Sequence, residues 1–155
     1  MLSRRMTLGL LAAAAPAALL ATRPALAMEP PVYATDGVAI GGADPVAYFG
    51  LGEDDDPVIG SAEFATEWNG ATWHFASADN RDTFIADPEA YAPAYGGYCA
   101  FAAARGYVAE TIPEAWSVVD GRLFLNFNRR IRRRWLREIP DAIVTADGNW
   151  PALLG

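Results

Sequence analysis

The chain contains one cysteine and one histidine, and these two side chains are the best suited to nucleophilic or metal-binding chemistry. Cys99 follows the step Gly96-Gly97 within an aromatic stretch, residues 91–101. A thiolate is a nucleophile and a soft-metal ligand, whereas a protonated cysteine packs as a small hydrophobic residue. The residues around Cys99 are compatible with both interpretations.

His74 lies between Trp73 and Phe75 in a predicted strand, so its side chain should point to the opposite face from both neighbours. An imidazole can bind a metal ion or lower the pKa of a nearby thiol. Cys99 and His74 together predict a two-ligand site, which suits a copper ion and not structural zinc. A surface or hydrogen-bonded role for this histidine is the alternative.

Four further residues are candidates for lining a ligand site: Tyr95, Tyr98, Trp116 and Asp44. The three aromatic residues are equally suited to a hydrophobic core. Asp44 precedes Pro45, a pattern typical of a helix N-cap followed by the first helical position. Its alternative role is therefore a cap.

The N-terminus has the features of an export signal. The pair Arg4-Arg5 precedes an apolar run at residues 8–20, which is too short to span a bilayer. Ala25-Leu26-Ala27 fits a cleavage site, and the arginine pair resembles a twin-arginine signal. We therefore expect cleavage after about Ala27, a periplasmic protein made of residues 28–155, and no stable membrane insertion.

The charge of the chain restricts its partners. The net charge is −7, and residues 1–27 contain three arginines and no acid, so residues 28–155 carry −10. Such acidity disfavours binding to nucleic acid or to an anionic membrane. The expected partner is a metal ion or a small molecule, while the oligomeric state is left open. One cysteine in an exported chain also excludes an intramolecular disulfide bond.

Two β-hairpins are predicted. Asn69-Gly70 separates arms at residues 64–68 and 71–75, and Asp120-Gly121 separates arms at residues 116–119 and 122–126. Both dipeptides tolerate positive φ angles, which tight hairpin turns require.

A helix is predicted after each hairpin. Ser77 should cap a helix over residues 78–86 with Phe84 and Ile85 on its apolar face, and Asn128 should cap one over residues 129–139. A short helix over residues 98–104 should begin near Cys99. Hairpin–helix followed by hairpin–helix predicts a small, single α+β domain.

Several blocks of sequence resemble the YHS domain family over about residues 43–95. The residues that carry the resemblance are Asp44-Pro45-Val46-Ala47-Tyr48-Phe49, Asn69-Gly70-Ala71-Thr72-Trp73-His74-Phe75, Asn80-Arg81-Asp82-Thr83-Phe84 and Asp87-Pro88-Glu89-Ala90-Tyr91. The C-terminal extension, with Gly96-Gly97-Tyr98-Cys99-Ala100, is similar to an exported bacterial subfamily. Some similar proteins carry selenocysteine at the position matching Cys99, which implies redox chemistry or soft-metal binding there.

The chain departs from the family where many members bind a soft metal ion, copper among them. The resemblance places the family's cysteines at Ala47, Ala76 and Asn80. None of these side chains replaces a thiolate as a ligand for copper(I) or zinc. The usual metal site of the family is therefore absent.

Three functions follow from these observations. The first is a binding protein that holds a copper-like soft metal ion through Cys99, with help from His74 or a methionine, or that binds a small ligand at Cys99. The second is a thiol redox enzyme with Cys99 as its single nucleophile. The third is a structural or small-ligand module in which Cys99 is buried and inert.

Overall fold

The computed structural model describes residues 28–155, so the predicted export signal lies outside the described residues. This part of the chain forms a small α+β domain with a four-stranded sheet, a two-stranded sheet and five α-helices. The predicted fold class is therefore confirmed. Between residues 28 and 155, none of the helices combines the length and the apolar composition needed to cross a membrane.

The four-stranded sheet has the order β1-β2-β4-β3. Its strands are β1 (Ala34–Thr35), β2 (Val38–Ala39), β3 (Ser61–Trp68) and β4 (Ala71–Phe75). Strand β2 runs parallel to β4, with Val38 opposite Thr72, and the other pairs are antiparallel. Strand β3 begins at Ser61, before the predicted arm, and its register shifts between Ser61 and Ala65.

Both hairpins turn where the sequence predicts. Asn69 and Gly70 have φ angles of 49° and 83° between β3 and β4. Asp120 and Gly121 have φ angles of 49° and 75°. They join β5 (Trp116–Val119) to β6 (Arg122–Leu125). Two consecutive positive φ angles match the twist of the flanking strands, which explains the residue types found there.

The five helices are α1 (Ala78–Ala86), α2 (Pro88–Tyr91), α3 (Ala100–Ala103), α4 (Arg129–Leu136) and α5 (Asp141–Asn149). Helix α3 is shorter than the predicted range 98–104, whereas α1 and α4 begin at their predicted caps. Ser77 Oγ accepts a hydrogen bond of 3.1 Å from the backbone N–H of Asn80. Asn128 Oδ1 accepts one of 2.8 Å from the N–H of Ile131. Helix α4 ends at Leu136 and not at residue 139, because the chain turns before α5.

The prediction for Ile85 is wrong. Phe84 is fully buried, whereas the Ile85 side chain is 54% exposed. Phe84 packs against Trp68, Trp73 and Phe75 of the first hairpin. Because consecutive helical residues point in directions about 100° apart, residue 85 turns away from that sheet.

Two hydrophobic clusters share the two-stranded sheet. Leu123 and Leu125 face the first cluster, which contains Trp73 and Phe84. Phe124, between them, faces the second cluster, which is built mainly from α3, α4 and α5. This alternation follows from the period of two in a strand. Strand β6 therefore separates the two clusters.

Candidate functional site: a buried thiol and an aromatic cleft

Cys99 lies at the N-cap position of α3, as predicted. Its backbone N–H donates to the carbonyl of Ala109 at 3.0 Å, and the residue forms a parallel bridge with Leu125 at the edge of β6. Only 1% of Cys99 is exposed, and it belongs to the second hydrophobic cluster. The structure thus combines the helix-start position expected of a reactive thiol with the burial expected of an inert one.

A left-handed turn brings Cys99 against β6. Tyr95, Gly96 and Gly97 have φ angles of 57°, 62° and 85°. A Cβ atom on Gly96 would collide with the carbonyl oxygen of Pro31, and one on Gly97 would lie 2.6 Å from Ile40 Cγ2. The double glycine is required by both the φ angles and these close approaches.

The sulfur of Cys99 has a polar neighbour in Asn126. Cys99 Sγ lies 3.6 Å from Asn126 Oδ1, which also accepts a 3.0 Å hydrogen bond from the N–H of Phe101. That N–H donor fixes which atom of the amide is the oxygen. Asn126 is fully buried, and its Nδ2 group has no hydrogen-bond partner within residues 28–155. The buried amide of Asn126 therefore carries an unsatisfied donor.

Burial raises the pKa of the Cys99 thiol above its ordinary value. The backbone N–H groups of Ala102, Phe127 and Phe101, followed by the charge of Arg105, act in the opposite direction and are outweighed. Low polarity disfavours the thiolate more than these donors stabilise it. Cys99 is consequently a neutral thiol at neutral pH.

Cys99 forms part of the wall of a pocket of about 270 Å³. The other lining residues are Phe101, Ala102, Tyr107, Ala109, Phe127 and Ile131. Tyr107 and Phe127 are 50% and 43% exposed, so apolar surface continues from this thiol pocket to the solvent. The lining residues are apolar apart from the thiol of Cys99 and the hydroxyl of Tyr107.

His74 lies elsewhere in the fold. It pairs with Ala65 across β3 and β4, and its ring is close to Gly42. It is half-buried while Trp73 and Phe75 on either side are fully buried, which agrees with the predicted alternation. Within the described residues, no group of three or more His, Cys, Asp and Glu side chains is arranged to hold a metal ion. His74 is not among the residues that line the thiol pocket.

Tyr98 and Trp116 anchor loops through their polar atoms. The Tyr98 hydroxyl donates to the carbonyl of Pro30 at 2.9 Å, and Trp116 Nε1 donates to the carbonyl of Asp55 at 3.0 Å. Both side chains are buried, and neither lines the thiol pocket. Both side chains pack in the protein interior, and Trp116 also lines two smaller pockets beside Arg132.

Asp44 holds the turn before a short 3-10 helix, Ala47–Gly50, and is also a buried junction. The helix begins two residues later than predicted, with Val46 and not Asp44 at its N-cap position. Asp44 Oδ1 accepts from the N–H groups of Val46 and Ala47 at 2.9 and 3.1 Å. Its Oδ2 accepts from the N–H of Ala76 at 2.9 Å and from Asn80 Nδ2 at 2.7 Å. The three positions that the YHS resemblance assigns to cysteines, 47, 76 and 80, thus meet around one carboxylate.

A larger cleft of about 550 Å³ lies between the turns of the two hairpins. Its aromatic lining residues are Trp68, Trp73, Tyr95 and Trp150, and its charged or amide residues are Asn69, Glu89 and Arg122. Tyr95 is the one predicted ligand-lining residue that the structure places here. The sequence carries no local signal for this aromatic cleft, because its walls come from segments up to about 120 residues apart.

One wall of the aromatic cleft is held by an ionic network. Arg122 Nη1 and Nη2 donate to the two carboxylate oxygens of Asp147 at 3.0 and 2.9 Å. The Tyr95 hydroxyl donates to the same carboxylate at 2.9 Å. Hydrogen bonding from Arg122 holds the pKa of Asp147 below its ordinary value, and burial raises the pKa of Tyr95. Asp147 is therefore ionised, and it orients both neighbours.

Comparison with known proteins gives no further constraint: no family model, no curated protein and no solved structure matches this chain.

Proposed function

We propose that this protein binds a small apolar ligand against the sulfur of Cys99. The observation that supports the proposal is the thiol in the wall of a pocket lined almost entirely by carbon. Ligand sites are typically concave and apolar, with a few polar groups that fix orientation. Here Cys99 is that polar group, and the pocket volume of about 270 Å³ restricts the ligand to a small molecule.

The neutral state of the thiol favours this function over copper binding. A soft metal ion in the thiol pocket would meet one sulfur ligand and would have to displace the thiol proton. The residues that line the pocket supply no imidazole, carboxylate or thioether. Copper binding by Cys99 with His74 is the competing proposal, and it predicts that copper affinity falls in both Cys99→Ser and His74→Ala.

A thiol redox function is a second candidate, favoured by the donors around the sulfur. In such a reaction the Cys99 thiol first loses its proton to solvent and the thiolate attacks a hydroperoxide. An S–O bond forms, the O–O bond breaks, and the leaving alkoxide takes a proton from solvent to become an alcohol. Two external thiols then return the sulfenic acid to the thiol, with release of water and a disulfide. The backbone N–H groups near the sulfur are suited to the negative charge that develops, whereas burial and the Asn126 Oδ1 atom 3.6 Å from the sulfur oppose it.

Labelling of the folded protein tests the proposed ligand site. N-ethylmaleimide, which is small and neutral, should react with Cys99 in the native state, but more slowly than with free cysteine because the raised pKa leaves little thiolate. The dianionic Ellman reagent should react only after denaturation. Cyclohexanol, used as an apolar probe, should slow the maleimide reaction. If Cys99 reacts with maleimide only after denaturation, the thiol is inert and the proposal is wrong.

Two variants of the pocket should shift the labelling rate in opposite directions. Ala109→Leu adds carbon within the pocket and should slow the reaction, while the Ala109 carbonyl that binds the Cys99 N–H is kept. Tyr107→Ala removes an exposed rim side chain and should accelerate it. Titration with copper(I) under reducing conditions, repeated on Cys99→Ser and His74→Ala, separates ligand binding from the copper alternative.

A further inference from the structure

We propose that the aromatic cleft is a second binding site and that its ligand is a neutral saccharide. The cleft is distinct from the thiol pocket, since the two share no lining residue. Its volume of about 550 Å³ lies within the range typical of small-molecule sites. Both hairpin turns contribute to it, through Asn69 and Gly121, so the fold itself forms the two walls.

The cleft presents indole rings that are held in place by aromatic neighbours. Trp150 packs against Tyr95 and Tyr98, with ring centroids 6.0 and 6.2 Å apart. Trp68 packs against Trp73 at 5.9 Å and edge-on against Phe84 at 5.7 Å. Both indoles are half-buried. They therefore offer fixed apolar surface together with a polar N–H edge, which suits a ring with one apolar face.

The charges at the cleft favour a neutral ligand with many hydroxyl groups. Glu89 is an exposed hydrogen-bond acceptor, and Asn69 is an exposed donor and acceptor. Arg122 donates two of its five N–H groups to Asp147, which leaves three donors for other partners. Asp147 offsets the charge of Arg122, and Glu89 disfavours an anionic ligand. A saccharide has no net charge, and its hydroxyls both donate and accept.

The test uses residues 28–155 with three neutral trisaccharides as probes: maltotriose, cellotriose and chitotriose. Choline and benzoate serve as charged probes of similar chemistry at the rings. We expect at least one trisaccharide to shift the tryptophan fluorescence and to bind with a Kd of about 1 mM or tighter by calorimetry. Glu89→Ala and Trp150→Phe should each weaken it by at least about fivefold.

The controls separate this site from the thiol pocket. Glu89 is exposed, so Glu89→Ala should leave the folded structure intact. Tyr107→Ala alters the thiol pocket and should leave saccharide affinity unchanged. The proposal is overturned if none of the trisaccharides binds at about 10 mM. It is also overturned if choline or benzoate binds more tightly, or if binding survives both Glu89→Ala and Trp150→Phe.

Discussion

The side-chain amide of Asn80 donates a 2.7 Å hydrogen bond to the carboxylate of Asp44, across 36 residues of sequence. Asp44 is fully buried, and its other donors are the backbone N–H groups of Val46, Ala47 and Ala76. One carboxylate thus joins the turn after Pro45, the end of β4 and the first turn of α1. A buried carboxylate is tolerated here because each of its two oxygens accepts two hydrogen bonds.

The first prediction concerns this junction. Asn80→Ala should lower the free energy of unfolding by about 1–2 kcal/mol, because a donor to a buried carboxylate is lost while helix propensity improves slightly. Urea denaturation of the two proteins measures the difference. Thr83→Ala, at an exposed position of the same helix, should change the stability by less than about 0.5 kcal/mol. Equal effects of the two substitutions would contradict the proposed role of Asn80.

The second prediction concerns the alkaline stability of the protein. Burial raises the folded-state pKa of Cys99, so the folded state holds the thiol proton more tightly than the unfolded state does. The resulting stability is fully present below the unfolded-state pKa of about 8.5 and is lost as the pH rises through the folded-state value. The free energy of unfolding of the wild-type protein should therefore fall more steeply above about pH 8.5 than that of Cys99→Ala.

Urea denaturation at several pH values between neutral and about pH 10 measures this difference. Tyr48 and Tyr95 also have raised pKa values through burial, but both are present in the two proteins and cancel in the comparison. Parallel curves for wild type and Cys99→Ala would show that the thiol titrates equally in the folded and unfolded states.

Local signals were sufficient to predict most of the secondary structure. Asn69-Gly70 and Asp120-Gly121 lie at turns with positive φ angles, and Ser77 and Asn128 cap their helices. Each of these turns and caps depends on residues no more than four positions apart in sequence, so it can be predicted without knowledge of the tertiary structure. The burial of Ile85 depends on which side of α1 faces β4. The sequence does not determine that side, because Phe84 is the only aromatic residue in this nine-residue helix.

The candidate site was predictable only in part. Gly96-Gly97 indicated that Cys99 begins a helix, because a sharp reversal before a helix is a local property. Its burial depends on Ala109, Asn126 and Phe127, which reach it through the path of the chain and not through spacing. Asn126 gave one weak signal, since it is a polar residue directly after the apolar run Leu123-Phe124-Leu125.

The third prediction concerns acid stability. Hydrogen bonding from Arg122, assisted by Tyr95, lowers the folded-state pKa of Asp147. The stability that follows is present above the unfolded-state pKa of about 3.9 and is lost as the pH falls through the folded-state value. Asp147→Asn should therefore be less stable than wild type near neutral pH, and the difference should shrink towards about pH 3.

Chemical denaturation across the acidic range tests the prediction for Asp147. Asp82→Asn is a suitable control, because its ion pair with Arg81 is solvent-exposed and such pairs contribute little. A difference between wild type and Asp147→Asn that stays constant down to pH 3 would show that the carboxylate is not stabilised by its ionic partners.

The last prediction compares two glycines whose replacement should have opposite effects. Gly96 has a φ angle of 62°, and a Cβ there would collide with the carbonyl oxygen of Pro31. Gly96→Ala should therefore destabilise the protein by at least about 2 kcal/mol. Gly148 lies in α5 with open space at its Cβ position. Gly148→Ala should stabilise the protein by about 0.5–1 kcal/mol through helix propensity. Thermal and urea denaturation of both variants measure the two signs, and a Gly96→Ala protein as stable as Gly148→Ala would refute the strained turn that positions Cys99.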